Sequence, residues 1–175
     1  FENAINFELG EKNILITFHP VTLEKSTSGI QFQALLDSIS ELRNTKIIFT
    51  KANSDTDGRV INSMIDDYVA KHDNTVAFTS MGQLNYLSAL QFMDAVVGNS
   101  SSGLIEAPSF KIGTINIGDR QKGRIKTDSV ISCLPKKSNI DSAFSKMYSK
   151  EFQNILDKVE NAYGKGGASK EIVNI

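Results

Sequence analysis

The sequence predicts an α/β fold: a doubly wound, Rossmann-like parallel sheet with helices on both faces. Short aliphatic and β-branched runs alternate along the chain with longer stretches whose apolar residues recur at helical spacing. Each short run is apolar almost throughout instead of at every second residue, which a strand buried on both faces requires. The segments richest in glycine, serine and charge follow the runs directly, where such sheets carry their ligand loops.

The elements can be taken in order. Asn13-Ile14-Leu15-Ile16-Thr17-Phe18 reads as the first strand and ends at His19-Pro20. Ile30, Phe32, Leu35, Leu36, Ile39 and Leu42 then mark one face of a helix. Lys46-Ile47-Ile48-Phe49-Thr50 is the second strand. A polar turn over 53–58 leads into a helix carrying Val60, Ile61, Met64, Ile65, Tyr68 and Val69. Thr75 to Phe78 is the third strand and Leu84 to Phe92 the third helix. Asp94 to Val97 is the fourth strand, followed by the turn Gly98-Asn99-Ser100-Ser101-Ser102-Gly103 and a short helix ending near Pro108. Gly113 to Ile117 is the fifth strand, and Ser129 to Ser132 a sixth. From Ser138 onward the pattern is helical, broken at Gly164-Lys165-Gly166-Gly167 before a last turn or two. No internal repeat or linker interrupts this order, which predicts a single domain over 1–175.

Composition narrows the function classes. At 175 residues and 40% apolar, the chain buries a real core. A formal net charge of -1 argues against a nucleic-acid binder working by bulk phosphate neutralisation. A lone cysteine excludes an intrachain disulfide and a cysteine zinc cluster, and fits a cytoplasmic setting. No apolar run approaches the ~18 residues of a membrane helix, so no membrane partner is expected. The start at Phe1 in place of Met predicts a piece of a longer protein.

Right-handed crossovers bring the loops after the strands to one edge of the sheet. The serine turn at Ser100-Ser101, placed between a strand and a helix, is suited to an anion such as phosphate; serine capping for stability alone is the competing reading. Glu106, about one and a half turns into the short helix, sits close to that anion site. A carboxylate there is unwelcome unless it accepts from sugar hydroxyls; a solvated glutamate near a helix start is the alternative. His19 suits a phosphate donor or an acid–base group, or is a plain strand-end histidine. Arg120, Lys122 and Arg124 form a basic loop able to neutralise a diphosphate, or a solvated one. Cys133 reads as a small buried hydrophobe, and His72 as a helix-end residue without chemistry. Asp55 and Asp57 suit turn and helix-start duty better than cation binding. No nucleophilic triad or metal cluster can be assembled.

Four ordered segments then carry a family resemblance. They are Thr17-Phe18-His19-Pro20-Val21-Thr22, Asn53-Ser54-Asp55-Thr56-Asp57-Gly58-Arg59, Gly98-Asn99-Ser100-Ser101-Ser102-Gly103-Leu104-Ile105-Glu106-Ala107-Pro108 and Ile115-Asn116-Ile117-Gly118-Asp119-Arg120-Gln121-Lys122-Gly123-Arg124. Together they resemble the UDP-N-acetylglucosamine 2-epimerases, and the match runs in order across about three quarters of the chain. The non-hydrolysing branch usually reads His-Arg-x-Glu-Asn and Asp-Ser-Gly-Gly where this chain has His-Pro-Val-Thr and Asn-Ser-Ser-Ser-Gly. Both departures point to the hydrolysing branch, which makes N-acetylmannosamine for sialic acid or capsule synthesis.

The resemblance implies the C-terminal, nucleotide-binding half of a two-domain glycosyltransferase-B type fold. Carried over by motif, Ser100 and Ser101 would hold the UDP phosphates with His19 nearby at the diphosphate, where a catalytic part for His19 is also open. Glu106 would bond the ribose hydroxyls, Asn53 and Arg120 would line the pocket, and main chain near Phe78 and Thr79 would contact uracil. The family removes the proton at the sugar's C2 with loss of UDP, then adds water to the glycal-like intermediate. The acid and base carboxylates come mostly from the N-terminal domain, so the fragment alone is expected to be inactive. No cofactor or metal is implied. The expected partners are UDP, a UDP-N-acetylhexosamine, the N-terminal domain of the same chain and further copies of the full-length protein. The alternatives are a UDP-sugar glycosyltransferase domain of the same fold and a non-catalytic nucleotide-sugar-binding module.

Overall fold

The computed structural model describes residues 1–21, 27–53, 56–164 and 166–173. Thr22, Ser54, Asp55 and Lys165 lie outside the described residues. After a single turn, α1 (Glu2–Ile5), the chain alternates β1 (Lys12–Thr17), α2 (Ser28–Ile39), β2 (Thr45–Thr50), α3 (Thr56–Val69), β3 (Thr75–Phe78), α4 (Gly82–Leu90) and β4 (Ala95–Gly98). There follow α5 (Ser102–Ile105), a 3-10 turn (Ala107–Phe110), β5 (Gly113–Ile117), β6 (Val130–Cys133), α6 (Lys137–Met147), α7 (Lys150–Leu156) and α8 (Ala168–Val173).

The six strands form one sheet in the order β3-β2-β1-β4-β5-β6. Every neighbouring pair is parallel. The chain works outward from β1 in one direction and then, from β4, in the other. The carboxyl ends of β1 and β4 therefore mark the point where the strand order reverses and a crevice opens.

Alternation of side chains along each strand explains why the runs are apolar throughout. Ile14, Ile16 and Phe18 join one core with Phe32, Leu35 and Ile39 of α2, Ile61 and Ile65 of α3, and Ile140 and Phe144 of α6. Leu15 points the other way, into a second core with Ile48, Val96, and Ala89 and Leu90 of α4. Ile14, Leu15, Ile47 and Ile48 are wholly buried. Burying each of these side chains contributes about 1.5–3 kcal/mol, so the two cores pin the strand register on which the loop positions depend.

Some elements differ from expectation in small ways with clear causes. The sixth strand begins at Val130, one residue later than expected, although the Ser129 carbonyl already accepts a cross-strand bond from Thr114 N–H (2.8 Å). Asp94 precedes β4, its carboxylate accepting from Asn13 N–H (2.8 Å). Asp57 lies inside the first turn of α3, where its charge favours the helix dipole, and not ahead of the helix. His72 stands just beyond α3, its ring stacked on Tyr68 and its Nδ1 2.7 Å from the Tyr68 carbonyl. Cys133 is half-buried at the end of β6, less enclosed than expected. Among the described residues no group of three or more His, Cys, Asp or Glu can hold a metal. None of the described helices is long and apolar enough to cross a membrane.

Candidate functional site

The crevice is built around the close approach of β1 and β4. Thr17 pairs with Gly98 across the two strands. Gly98 has φ 131, and a Cβ there would lie 2.0 Å from the Thr17 carbonyl oxygen. Only glycine permits that contact. Immediately beyond it, Asn99 turns its side chain across to the other loop. Its Oδ1 accepts from His19 N–H (2.7 Å) and its Nδ2 donates to the His19 carbonyl (2.7 Å). The Asn99 carbonyl in turn accepts from Arg120 (3.0 Å) and from Gln121 Nε2 (2.8 Å). One buried asparagine thus ties together the loops after β1, β4 and β5.

This network brings His19 and Arg120 to the serine turn, as the sequence predicts. Arg120 is drawn over the Asn99 backbone; burial and repulsion from Arg124 lower its pKa from the usual arginine value, and it stays cationic. Ser101 is the N-cap residue of α5 yet makes no side-chain cap hydrogen bond. Ser100 Oγ accepts only a long bond from Ser102 N–H, at 3.4 Å. The helix start thus receives one long bond from Ser100 and none from Ser101, which weakens the pure capping alternative.

Glu106 sits differently from expectation. The short helix is a single turn, and Glu106 is its C-cap, at the joint with the 3-10 turn. Gly103 explains how closely this segment lies on the sheet: a Cβ there would come within 2.5 Å of the Thr114 side chain, whose hydroxyl donates to the Gly103 carbonyl (2.6 Å). Glu106 Oε2 is buried and has no hydrogen-bond partner. Asn116 Oδ1 and Gln121 Oε1 are in the same state. Buried acceptors left open cost about 1–3 kcal/mol each, so three of them at one strand edge mark a place prepared for a donor-bearing ligand.

A cavity of about 320 Å³ opens at the serine turn, lined by Thr17, Thr50, Met81, Tyr86, Ser100 and Ser102 among others. The Tyr86 hydroxyl donates to Ser102 Oγ (2.5 Å), and Thr17 and Thr50 hydroxyls bond each other on its floor. Burial raises the Tyr86 pKa; hydrogen bonding with Ser102 and Thr17 opposes this and the Glu106 charge adds to it. Tyr86 therefore remains a neutral donor beside Glu106.

Two expected residues stand apart. Asn53 and Thr79 are exposed on the loops after β2 and β3. What is held in the β2 loop is the neighbouring Ala52, whose N–H and carbonyl both bond the Asn62 side chain (2.8 and 3.0 Å). The Phe78 carbonyl accepts from Lys51 N–H (2.9 Å), so one of its two acceptor positions is occupied. Asn99, Gln121 and Tyr86 are the residues that sequence reasoning passed over. Asn99 alone had a signal: a polar residue directly after an apolar strand and a glycine.

The family model for UDP-N-acetylglucosamine 2-epimerase matches residues 2–175. The chain is 40% identical over 153 residues to the GDP/UDP-N,N'-diacetylbacillosamine 2-epimerase (hydrolyzing) of Campylobacter jejuni, covering 87% of this chain and 39% of that protein. It is 34% identical over 188 residues to polysialic acid biosynthesis protein P7 of Escherichia coli, covering 99% and 48%. The chain thus spans less than half the length of these curated relatives. Its fold is similar to that of Methanocaldococcus jannaschii UDP-GlcNAc 2-epimerase, a structure in complex with UDP-GlcNAc and UDP, with a TM-score of 0.75, 17% identity, and coverage of 99% of this chain and 48% of that one. A Rossmann-like sheet, a serine turn at its switch point and a match over nearly the whole chain together show that this chain belongs to the UDP-N-acetylglucosamine 2-epimerase family.

Proposed function

We propose that this chain is the nucleotide-binding half of a hydrolysing UDP-sugar 2-epimerase and that its crevice takes UDP. The observation that carries the reading is Glu106, a carboxylate with a buried, unpartnered oxygen beside a cationic, serine-lined turn. Phosphate alone would be repelled by it. A nucleotide satisfies both sides at once: the diphosphate faces Ser100, Ser101, His19 and Arg120, and the ribose hydroxyls donate to Glu106. The cavity beside Tyr86 and Ser102 then accommodates the nucleoside, with the loops that carry Asn53 and Thr79 following β2 and β3 at the same edge of the sheet.

In the longer protein this half stabilises the negative charge of the departing UDP with aimed donors and a fixed cation. The groups that move protons on the sugar belong to the other half, and the product is UDP with N-acetylmannosamine or a related 2-acetamido sugar. The names of the C. jejuni and E. coli relatives support the hydrolysing type and a place in surface-polysaccharide or sialic acid synthesis.

The test is a calorimetric titration of the 175-residue chain with UDP and UMP, repeated on Glu106→Ala. Saturable binding that prefers UDP and weakens in the variant is expected. A folded chain that ignores millimolar UDP defeats the reading. On the longer protein, free 2-acetamido sugar released with UDP separates the epimerase from a glycosyltransferase, which passes the sugar to an acceptor.

A further inference from the structure

We propose that Asn161 is a positioning residue that aims Glu106 at the ribose; this rests on the nucleotide reading above. After α7 the chain runs back over the α5 segment as a strap. Lys111 Nζ donates to the Asp157 carbonyl (2.7 Å) at one end of it. The Tyr163 hydroxyl donates to the Ile125 carbonyl (3.2 Å) at the other, on the loop that carries Arg120. Between them Asn161 Nδ2 donates to the Ile105 carbonyl (2.8 Å) and to Ser109 Oγ (2.6 Å). Its Oδ1 accepts from Tyr163 N–H (2.9 Å), which sets the orientation of the amide.

The two bonds from Asn161 straddle Glu106. Ile105 is the last residue of α5, Ser109 belongs to the 3-10 turn, and Glu106 is the joint, with φ −93 and ψ −47. The two hydrogens of one planar amide are held at a fixed angle, so together they set the bend between the two short helices. Glu106 Oε2 has no hydrogen bond of its own to hold it. Backbone bonds from Glu106 N–H to the Ser102 carbonyl (2.9 Å) and from Ser109 N–H to the Glu106 carbonyl (3.0 Å) close the turn on each side. Asn161 ties the two turns to each other, so its bonds help set the direction of the carboxylate between them.

The strap is attached by these bonds more than by packing. Open hollows of about 540 and 490 Å³ lie along it, and Lys158, Val159 and Glu160 line both. A segment with few apolar contacts and a handful of polar ties is among the first to open locally. Loss of the Asn161 ties therefore acts on the carboxylate and leaves the sheet intact.

The experiment measures UDP, UMP, 2′-deoxy-UDP and 3′-deoxy-UDP affinities of the 175-residue chain by calorimetry. The unaltered chain is expected to favour UDP over the analogue lacking the hydroxyl that Glu106 accepts, on the order of 10-fold. Glu106→Ala removes that preference. Asn161→Ala lowers it to about threefold or less while the preference for UDP over UMP stays unchanged. A merely loosened fold would erode both preferences together, and that result overturns the proposal. So does an Asn161→Ala chain with its ribose preference intact. Should that variant fail to fold, Ser109→Ala removes one of the two ties at an exposed position. A smaller drop in the same ratio is then expected, and no drop overturns the assignment. Retained discrimination in Glu106→Ala instead strikes the ribose reading itself, and with it the part given to Asn161.

Discussion

At the amino end of the sheet Asn13 folds back on Gly10, accepting from its N–H (2.8 Å) and donating to its carbonyl (3.0 Å), while Asp94 accepts from Asn13 N–H (2.8 Å). At the carboxyl end Asn99 does the same for His19 with two bonds of 2.7 Å. An asparagine amide thus saturates a stretch of backbone at both ends; at the carboxyl end it also joins the β1 and β4 loops, whereas at the amino end the Asp94 carboxylate makes that link. The side chains around them differ. At the amino end the one buried hydroxyl short of a well-formed hydrogen bond among the described residues is that of Tyr148, and it lies against the Asp94 carboxylate, whose charge and hydrogen bonding add to burial in raising its pKa. At the carboxyl end Ser28, Glu106, Asn116 and Gln121 all keep buried polar atoms open. The closed end is stabilised by its own contacts. The open end carries a standing cost that a bound ligand can relieve.

The sharpest way to break this comparison is at the glycines. Gly98→Ala places a Cβ 2.0 Å from a backbone oxygen at a φ of 131, and neither strand can retreat without leaving its core. Unfolding by urea should show a loss above about 4 kcal/mol, or no folded protein at all. At the other end Gly10→Ala meets only the flexible Lys46 side chain, with Cγ at 3.0 Å. Its expected cost is within about 1 kcal/mol. Equal losses at the two positions would contradict the close approach of β1 and β4 at the switch point.

The two asparagines come next. Asn99→Ala and Asn13→Ala each strip partners from buried or half-buried backbone and should each cost about 2–3 kcal/mol in urea unfolding. UDP titration separates them. The Asn13→Ala chain, measured where it is folded, binds as before. The Asn99→Ala chain binds more weakly, because the side chain that holds the His19 backbone at the crevice is gone, while the bonds of Arg120 and Gln121 to the residue-99 carbonyl survive. Equal affinity in the two variants would mean that the stitch at the carboxyl end is structural only.

Why one asparagine matters to a ligand and the other does not was only half legible in the sequence. Strand order, the serine turn and the basic loop are local patterns, and each stands where apolar periodicity places it. Asn99 acts on His19, 80 positions away, and no periodicity carries such a pairing. Glu106 shows the same limit at short range. Counting residues from the serine turn puts it inside a helix, but the helix stops after one turn and gives way to a 3-10 turn with Pro108 in its first positions. Asn53 and Thr79 were legible as loop residues and no more, since an exposed side chain leaves no packing signature.

A smaller effect is expected at Arg120. Its guanidinium donates to the Asn99 carbonyl, which fixes its direction, and it stays a cation even though burial and Arg124 lower its pKa from the usual arginine value. Arg120→Ala should weaken UDP on the order of 10-fold with little change in stability, and Arg120→Lys should recover only part of this, because an ammonium lacks the planar fork. UMP should lose less than UDP. If both nucleotides weaken alike, Arg120 serves the loop and not the second phosphate.

The smallest effect concerns Cys133, which stands at the same carboxyl edge, at the end of β6. Burial pushes its thiol from 9.0 up to about 11, so near neutral pH it is a thiol and not a thiolate. The sign of the linkage follows from the proton count. The unfolded chain releases this proton near pH 9, while the folded chain holds it to about pH 11. The contribution to stability is thus complete below pH 9 and disappears as the pH rises through about 11. Cys133→Ala should flatten that alkaline slope and leave UDP binding unchanged. Alkylation at pH 7.5 should be slow in the folded chain and fast in urea, read by mass spectrometry. Fast labelling of folded protein would mean an activated thiol at the open edge. Slow labelling fits an edge whose unfilled positions are hydrogen-bond acceptors and whose positive charge is fixed, which is chemistry for holding a nucleotide and not for attacking one.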